Sequence, residues 1–250
     1  MLKQERQNYI LEDIRVYNKV LSSELSQKLG VSEDTIRRDL KELSDNGQIK
    51  KVHGGAMSSG GYLPFSHKDR EIHAHDEKVA IVRKAIPLIP DECVMVMDGG
   101  TTNLELARLL PPDLKATVFT NSLPIAIQLS EHPRIETVFI GGRILKNGQI
   151  TIGMDVINCV SEIHADICFI GTRSIHADFG ITDFDREECQ AKRALISCAK
   201  QVVSLPISEK INTIQPYKVT DISNIHTLIT ELDPTNPLLG AFKQRGLQVL

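Results

Sequence analysis

The chain has no excess of positive charge: 29 Lys and Arg stand against 32 Asp and Glu, a formal net charge of −3. Nucleic-acid-binding proteins usually carry a basic footprint, so bulk charge argues against that class unless the charge is unevenly placed. Long apolar runs are also missing. None approaches the roughly 20 residues that span a bilayer, and no membrane partner is expected. The opening residues, Met1-Leu2-Lys3-Gln4-Glu5-Arg6, are charged and do not form the apolar stretch of a secretory signal. Cysteines are few: Cys93, Cys159, Cys168, Cys189 and Cys198, an odd number with no Cys-x-x-Cys pair. That speaks against a disulfide framework or a structural zinc site and points to the cytoplasm. Cys93, Cys159 and Cys168 read as small buried hydrophobes. No metal and no cofactor are expected.

What remains is an ordinary globular composition. The 250 residues are 41% hydrophobic and 24% charged, with a mean hydropathy of −0.12. This is ample chain for a buried core in one large or two modest domains. Three regions separate. Residues 1–55 are charged and helix-patterned. Residues 56–76 read as a linker, with Gly60, Gly61 and the irregularly spaced His67, His73 and His75. Residues 77–250 alternate strand-length apolar runs with helical segments.

In the first region, Ile10, Ile14 and Tyr17 share one face of a helix that starts near Gln4. A second helix is expected from Ser22 as its N-cap to Leu29, with Gly30 ending it. A third starts at Ser32, carries Glu33 and Asp34 in its first turn, and stops at Gly47. Two short helices about a glycine turn form a helix-turn-helix pattern. The alternating Gln48-Ile49-Lys50-Lys51-Val52-His53 suits a small strand or wing. In the third helix Ile36, Leu40 and Leu43 form the apolar stripe and Arg38 points away from it. Ser32, Thr35, Arg37 and Arg38 therefore sit where a recognition helix meets DNA: Arg38 suits a bidentate contact to guanine, and Arg37 a phosphate. Lys50, Lys51 and His53 are further candidates on the wing. A plain three-helix bundle with solvated cations fits the periodicity equally well.

Ser32-Glu33-Asp34-Thr35-Ile36-Arg37-Arg38-Asp39-Leu40, followed by Lys50-Lys51-Val52-His53-Gly54-Gly55-Ala56, resembles the DNA-binding domain of the DeoR family of bacterial transcription regulators. The resemblance implies operator DNA as partner.

In the third region, several apolar strands end in polar, glycine-rich tips. Val94–Met97 leads into Asp98-Gly99-Gly100-Thr101-Thr102, and Val118-Phe119 into Thr120-Asn121-Ser122. Ile135–Ile140 leads into Gly141-Gly142-Arg143, and Ile167–Ile170 into Gly171-Thr172-Arg173. Val202–Leu205 leads towards Ser208-Glu209-Lys210. Alternating strands and helices predict a mostly parallel α/β sheet, whose ligands bind beyond the carboxyl ends of the strands. Backbone N–H groups at such turns, with Thr and Ser hydroxyls and Lys and Arg, suit a small anionic ligand. Phe119, Phe139 and Phe169 are expected in the core. His132, His164, His176 and His226 are expected on surfaces or loops.

This region also resembles the DeoR-family sensor domain, which implies the ribose-5-phosphate isomerase/CoA transferase fold and a phosphorylated sugar or related metabolite as effector. By that resemblance the effector residues are Asp98, Gly99, Gly100, Thr101, Thr102, Asn121, Ser122, Gly141, Gly142, Arg143, Gly171, Arg173, Glu187 (or Glu188), Lys192 and Lys210. Arg173 and Ile207 stand where the family commonly has Asp. If both line the cleft, the effector is more anionic or less hydroxylated than a monophosphate sugar.

The resemblance implies a non-enzymatic repressor of a carbohydrate operon, acting as a homodimer or homotetramer because one head covers a half-site. The alternative is an isomerase-like or transferase-like enzyme with an appended head. The charge divides accordingly. Residues 1–53 hold ten Lys and Arg against nine Asp and Glu, and residues 77–250 seventeen against twenty. DNA binding must therefore rest on where a few cations point.

Overall fold

The computed structural model describes residues 2–17, 19–58 and 67–250, without the side chains of residues 12, 15–17, 19, 58, 68 and 69. The Tyr17 side chain and the 59–66 part of the expected linker lie outside the described residues. The chain divides into two units, Met1–Lys68 and Asp69–Leu250.

The first unit is a winged helix-turn-helix: α1 (Lys3–Tyr17), β1 (Lys19–Leu21), α2 (Ser22–Leu29), α3 (Glu33–Asp45), β2 (Ile49–Val52) and β3 (Gly55–Ser58). The three strands form an antiparallel sheet in the order β1-β3-β2. Ile10, Ile14, Val20, Leu25, Ile36, Leu40, Leu43, Ile49 and Ala56 close its core. Gly30 ends α2 at φ 64°, a left-handed conformation in which a Cβ is strained. The Ser32 hydroxyl accepts from the Thr35 N–H at 3.3 Å and caps α3.

Two expectations change. Ser22 is the first residue of α2, not its cap. The preceding Leu21 is extended, and the Ser22 N–H is satisfied by the Gly54 carbonyl at 2.8 Å. Residues 55–58, in part assigned to the linker, complete the wing as its central strand, because Gly55 and Ala56 pair with both β1 and β2.

The boundary between the units falls within α4 (His67–Ile72), and α5 (His75–Ala85) follows; the chain is helical there, where a linker was expected. The buried Lys78 ammonium donates to the carbonyls of Arg70, Glu71 and His73, and so satisfies the end of α4 from the side. There follow β4 (Cys93–Met97), α6 (Thr101–Leu109), β5 (Ala116–Thr120), α7 (Leu123–Ser130) and β6 (Ile135–Phe139). The hairpin β7 (Arg143–Leu145) and β8 (Ile150–Ile152) comes next, then α8 (Met154–Ser161) and β9 (Ala165–Ile170). The chain continues through β10 (Ser174–His176), β11 (Gly180–Asp183), α9 (Arg186–Ser197), β12 (Ala199–Ser204), β13 (Tyr217–Thr220), β14 (Thr227–Leu228), α10 (Gly240–Gln244) and β15 (Gln248–Val249).

Seven parallel strands form the main sheet in the order β15-β14-β12-β9-β4-β5-β6. Apolar clusters cover it, one including Val96, Cys168, Leu195 and Phe242, the other Met95, Leu106, Ile125 and Phe169. A small antiparallel sheet, β10-β11-β13, and the hairpin stand outside it. Phe169 is fully buried, whereas Phe139, expected in the core, is 39% exposed on the edge strand β6. No helix among the described residues is long and apolar enough to cross a membrane.

Candidate functional site

From β4 the chain proceeds outward through β5 to β6, and from β9 it proceeds the other way through β12 and β14 to β15. The boundary between β4 and β9 is thus the topological switch point, where an open α/β sheet leaves a crevice at the carboxyl ends of its strands. Asp98 lies at that point. It is fully buried, and one of its oxygens, Oδ2, accepts from the Gly171 N–H at the tip of β9 at 3.0 Å. The two tips approach so closely that a Cβ on Gly171 would lie 2.1 Å from the Gly99 carbonyl oxygen. Asn103, on the first turns of α6, joins the same tips by donating to the Asp98 and Phe169 carbonyls at 2.8 and 2.9 Å.

A charged cluster surrounds Asp98. Asp185 caps α9 by accepting from the Glu187 and Glu188 N–H groups, and this sets the phase of the helix. Glu188 and Lys192, one turn apart, consequently share its inner face. The Lys192 ammonium contacts Asp183 Oδ2 at 2.5 Å, Glu188 Oε1 at 2.7 Å and Asp98 Oδ2 at 4.0 Å. Burial opposes its charge, but these acids outweigh burial and hold it charged, well above the ordinary lysine range. Burial pushes the Asp98 carboxyl up to about 7, against the pull of Lys192. Lys210 is driven down to about 7 by burial and by the nearby Arg173, Lys78, Arg70 and Lys192. Arg173 packs over the Phe184 ring, 5.0 Å from its centroid. Three buried acceptor oxygens in this region, Asp98 Oδ1, Asn103 Oδ1 and Asn121 Oδ1, have no hydrogen-bond partner among the described residues.

The structure thus brings together Asp98, Gly99, Gly171, Arg173, Lys192 and Lys210 among the residues singled out in the sequence. Gly100, Thr101 and Thr102 open α6 beside them. Asn121 and Ser122 are buried by the hairpin: Asn121 Nδ2 donates to the Thr151 carbonyl at 3.0 Å, and Ser122 bridges Ile150. Gly141, Gly142 and Arg143 are exposed at the far edge of the sheet. Arg143 pairs there with Glu187, so Glu188 rather than Glu187 reaches the cluster. Ile207 does not line the cleft. It is 3% exposed and packs into the core with Val203 and Leu205. Sequence reasoning missed Arg70, Lys78, Asn103 and Asp183. Glu188 could have been chosen by its i,i+4 spacing to Lys192.

In the first unit, α3 buries Ile36, Leu40 and Leu43 and turns the cationic ends of Arg37 and Arg38 outward. Each is tethered to an acid one turn back: Arg37 to Glu33 at 3.1 Å, and Arg38 to Asp34 at 2.6 Å. The Arg38 side chain is 81% exposed. Ser32, Lys50, Lys51 and His53 are exposed as well, and Thr35 is half-buried.

Residues 6–60 match the DeoR-like helix-turn-helix domain, and residues 73–232 match the DeoR C terminal sensor domain. The chain belongs to the DeoR family. It is 35% identical to the HTH-type transcriptional regulator GolR of Listeria innocua, over 98% of this chain and 97% of that one. It is 31% identical to the HTH-type transcriptional repressor GlcR of Bacillus subtilis, over 100% and 96%. Among solved structures, ribose 5-phosphate isomerase A of Methanocaldococcus jannaschii superposes with a TM-score of 0.41 at 16% identity, over 54% of each chain. Both of these relatives of this DeoR-family chain are named as transcriptional regulators and are matched over nearly their whole length.

Proposed function

We propose that the chain is an operator-binding repressor of a carbohydrate operon, released or retained by a phosphorylated sugar or related anionic metabolite held at the β4/β9 switch point. The observation that carries the reading is Asp98. It is a buried carboxyl with one oxygen unpartnered among the described residues, set among Lys192, Lys210 and Arg173. A polyol phosphate matches both features, since its hydroxyls supply donors and its phosphate supplies negative charge.

The DNA contacts are assigned to Ser32, Thr35, Arg37, Arg38, Lys50, Lys51 and His53. Because Arg37 and Arg38 are already tethered by acids, a single head binds weakly. A homodimer or homotetramer would supply affinity by joining two heads on one operator.

A mobility-shift assay on the region upstream of the chain's own gene, with and without pentose and hexose phosphates, tests the reading. Specific retardation that responds to one of these compounds supports it. Retardation that is absent or indifferent to sequence overturns it.

A second reading, proton-transfer catalysis on a sugar phosphate, is favoured by an Asp98 carboxyl near neutrality. Against it, Asp183 and Glu188 are both engaged by Lys192. Product formation from pentose or hexose phosphates would favour this second reading over pure sensing.

A further inference from the structure

We propose that Arg70 is a ligand of the effector's anionic group, supplied by helix α4 and not by the strand tips. The inference rests on placing the effector at the β4/β9 switch point.

The backbone that carries Arg70 is fixed. Lys78, only 3% exposed, holds the carbonyls of Arg70, Glu71 and His73. Glu71 pairs with Arg108 of α6 at 2.8 Å, and His73 Nε2 lies 2.8 Å from Glu209 Oε2, next to Lys210. The bridge between Ile175 and Ile211 sets the segment containing Arg173 beside the one containing Lys210. Lys78 and Arg70 both depress Lys210, and the acids that favour charge on Arg70 are Glu188 and Asp183, the same two that grip Lys192. Helix α4 is thereby docked against the cation cluster.

The guanidinium itself is poorly satisfied. One terminal nitrogen donates to the Asn147 carbonyl at 2.6 Å, and Nε is buried with no hydrogen-bond partner among the described residues. A buried charged donor without an acceptor is costly. A guanidinium presents two parallel N–H groups suited to a phosphate or carboxylate. An anion within the cluster would satisfy the free Nε–H and compete for the terminal nitrogen now on Asn147.

Arg70 also lies just past the Lys68/Asp69 boundary between the two units. An anion bound there would hold the stretch of chain that leaves the head, and Asn147 in the β7–β8 turn would lose its partner.

The test uses the full chain and three probes: inorganic phosphate, ribose 5-phosphate and fructose 6-phosphate. Binding is read by thermal shift and calorimetry. For any probe that binds the wild type, Arg70→Ala should weaken affinity by about 10- to 100-fold, the loss of one charge-assisted contact. Arg70→Lys, which keeps the charge and loses the fork, should recover only part of it. Lys210→Ala serves as the control for the site. If Lys210→Ala weakens binding and both Arg70 variants bind as the wild type does, the inference falls and the site stands. If Lys210→Ala leaves binding unchanged, or no probe binds the wild type, the site assignment falls and takes the inference with it. Should Arg70→Ala unfold, Arg70→Lys alone decides, and wild-type affinity in it overturns the proposal.

Discussion

Arg6 and Asp39 join α1 to α3 through a bidentate ion pair, Nε to Oδ2 at 2.5 Å and a terminal nitrogen to Oδ1 at 3.2 Å. Asp39 is almost completely buried, and its hydrogen bond holds the Arg6 guanidinium more firmly charged than usual, despite some opposition from burial. This acid of the head is spent on architecture. It leaves the outer face of α3 to Arg37 and Arg38 and their tethering acids.

Asp39→Ala should therefore lower the stability of the head by about 1–3 kcal/mol, because it strands a half-buried guanidinium. Thermal unfolding of the full chain should show the loss in the transition of the head. Arg6→Ala should cost a similar amount, and the double variant less than the two single losses added together, as coupled partners do.

Arg38→Ala should weaken binding to the operator by about 1–3 kcal/mol if the guanidinium reads a base edge. Titrations on operator and on random DNA of equal length check this. An equal loss on both would assign Arg38 to the phosphate backbone. Arg37→Ala is expected to behave in that second way and to reduce the slope of log K against log salt by about 0.9.

Anion affinity should fall as pH rises through neutrality. Below about 7 Lys210 is charged and Asp98 neutral, and both conditions favour an anion. Above about 7 Lys210 is neutral and Asp98 charged, and both oppose it. Sulfate, whose own charge is constant over this range, is a suitable probe. Its log affinity should decline between pH 6 and 8 with a limiting slope approaching about −2 per unit, one for each group. Asp98→Asn should halve the slope. A flat profile in the wild type would show that the two groups do not face the anion.

The same shifts act on the unliganded fold with opposite signs. Asp98 is raised on folding, so its contribution declines as pH climbs from the ordinary aspartate range to about 7. Lys210 is depressed, so its contribution improves from about 7 towards the ordinary lysine range. Lys210→Met should therefore stabilise the chain at pH 7 and below while weakening anion binding. Thermal unfolding at pH 6, 7.5 and 9 measures both limbs.

Gly171→Ala should destabilise the second unit by about 3 kcal/mol, since the new Cβ meets backbone that cannot step aside. Near-complete unfolding with no ligand rescue, or a change below about 1 kcal/mol, would both contradict an overpacked but intact tip.

The residues most legible in the sequence were those whose role follows from local periodicity. The stripe Ile36, Leu40 and Leu43, the Ser32 cap and the Asp98-Gly99-Gly100 turn after an apolar strand all lie where spacing placed them. The illegible ones act at a distance or against composition. Arg70 and Lys78 straddle the edge of a stretch whose glycines, serines and histidines suggested a linker, and helix α4 owes its end to a side chain arriving from α5. Glu187 and Glu188 are chemically equivalent, and only the Asp185 cap decides which one turns inward. Ile207 was expected at the cleft from the family resemblance alone, yet the strand before it delivers it to the core.

The order of the strands has a consequence for how such a protein can be altered. The head completes its core between Ile10 and Ala56, so it is a cassette that can be exchanged in one piece. The cluster around Asp98 is assembled from α4, α5, α9, and the tips of β4, β9 and β11, together with the turn that carries Lys210. Its members run from Arg70 to Lys210, so nothing much shorter than the whole second unit contains it. Under the proposed assignment, operator preference would be transplanted in one piece, whereas metabolite preference would drift one loop at a time, each loop answerable to its neighbours across the switch point.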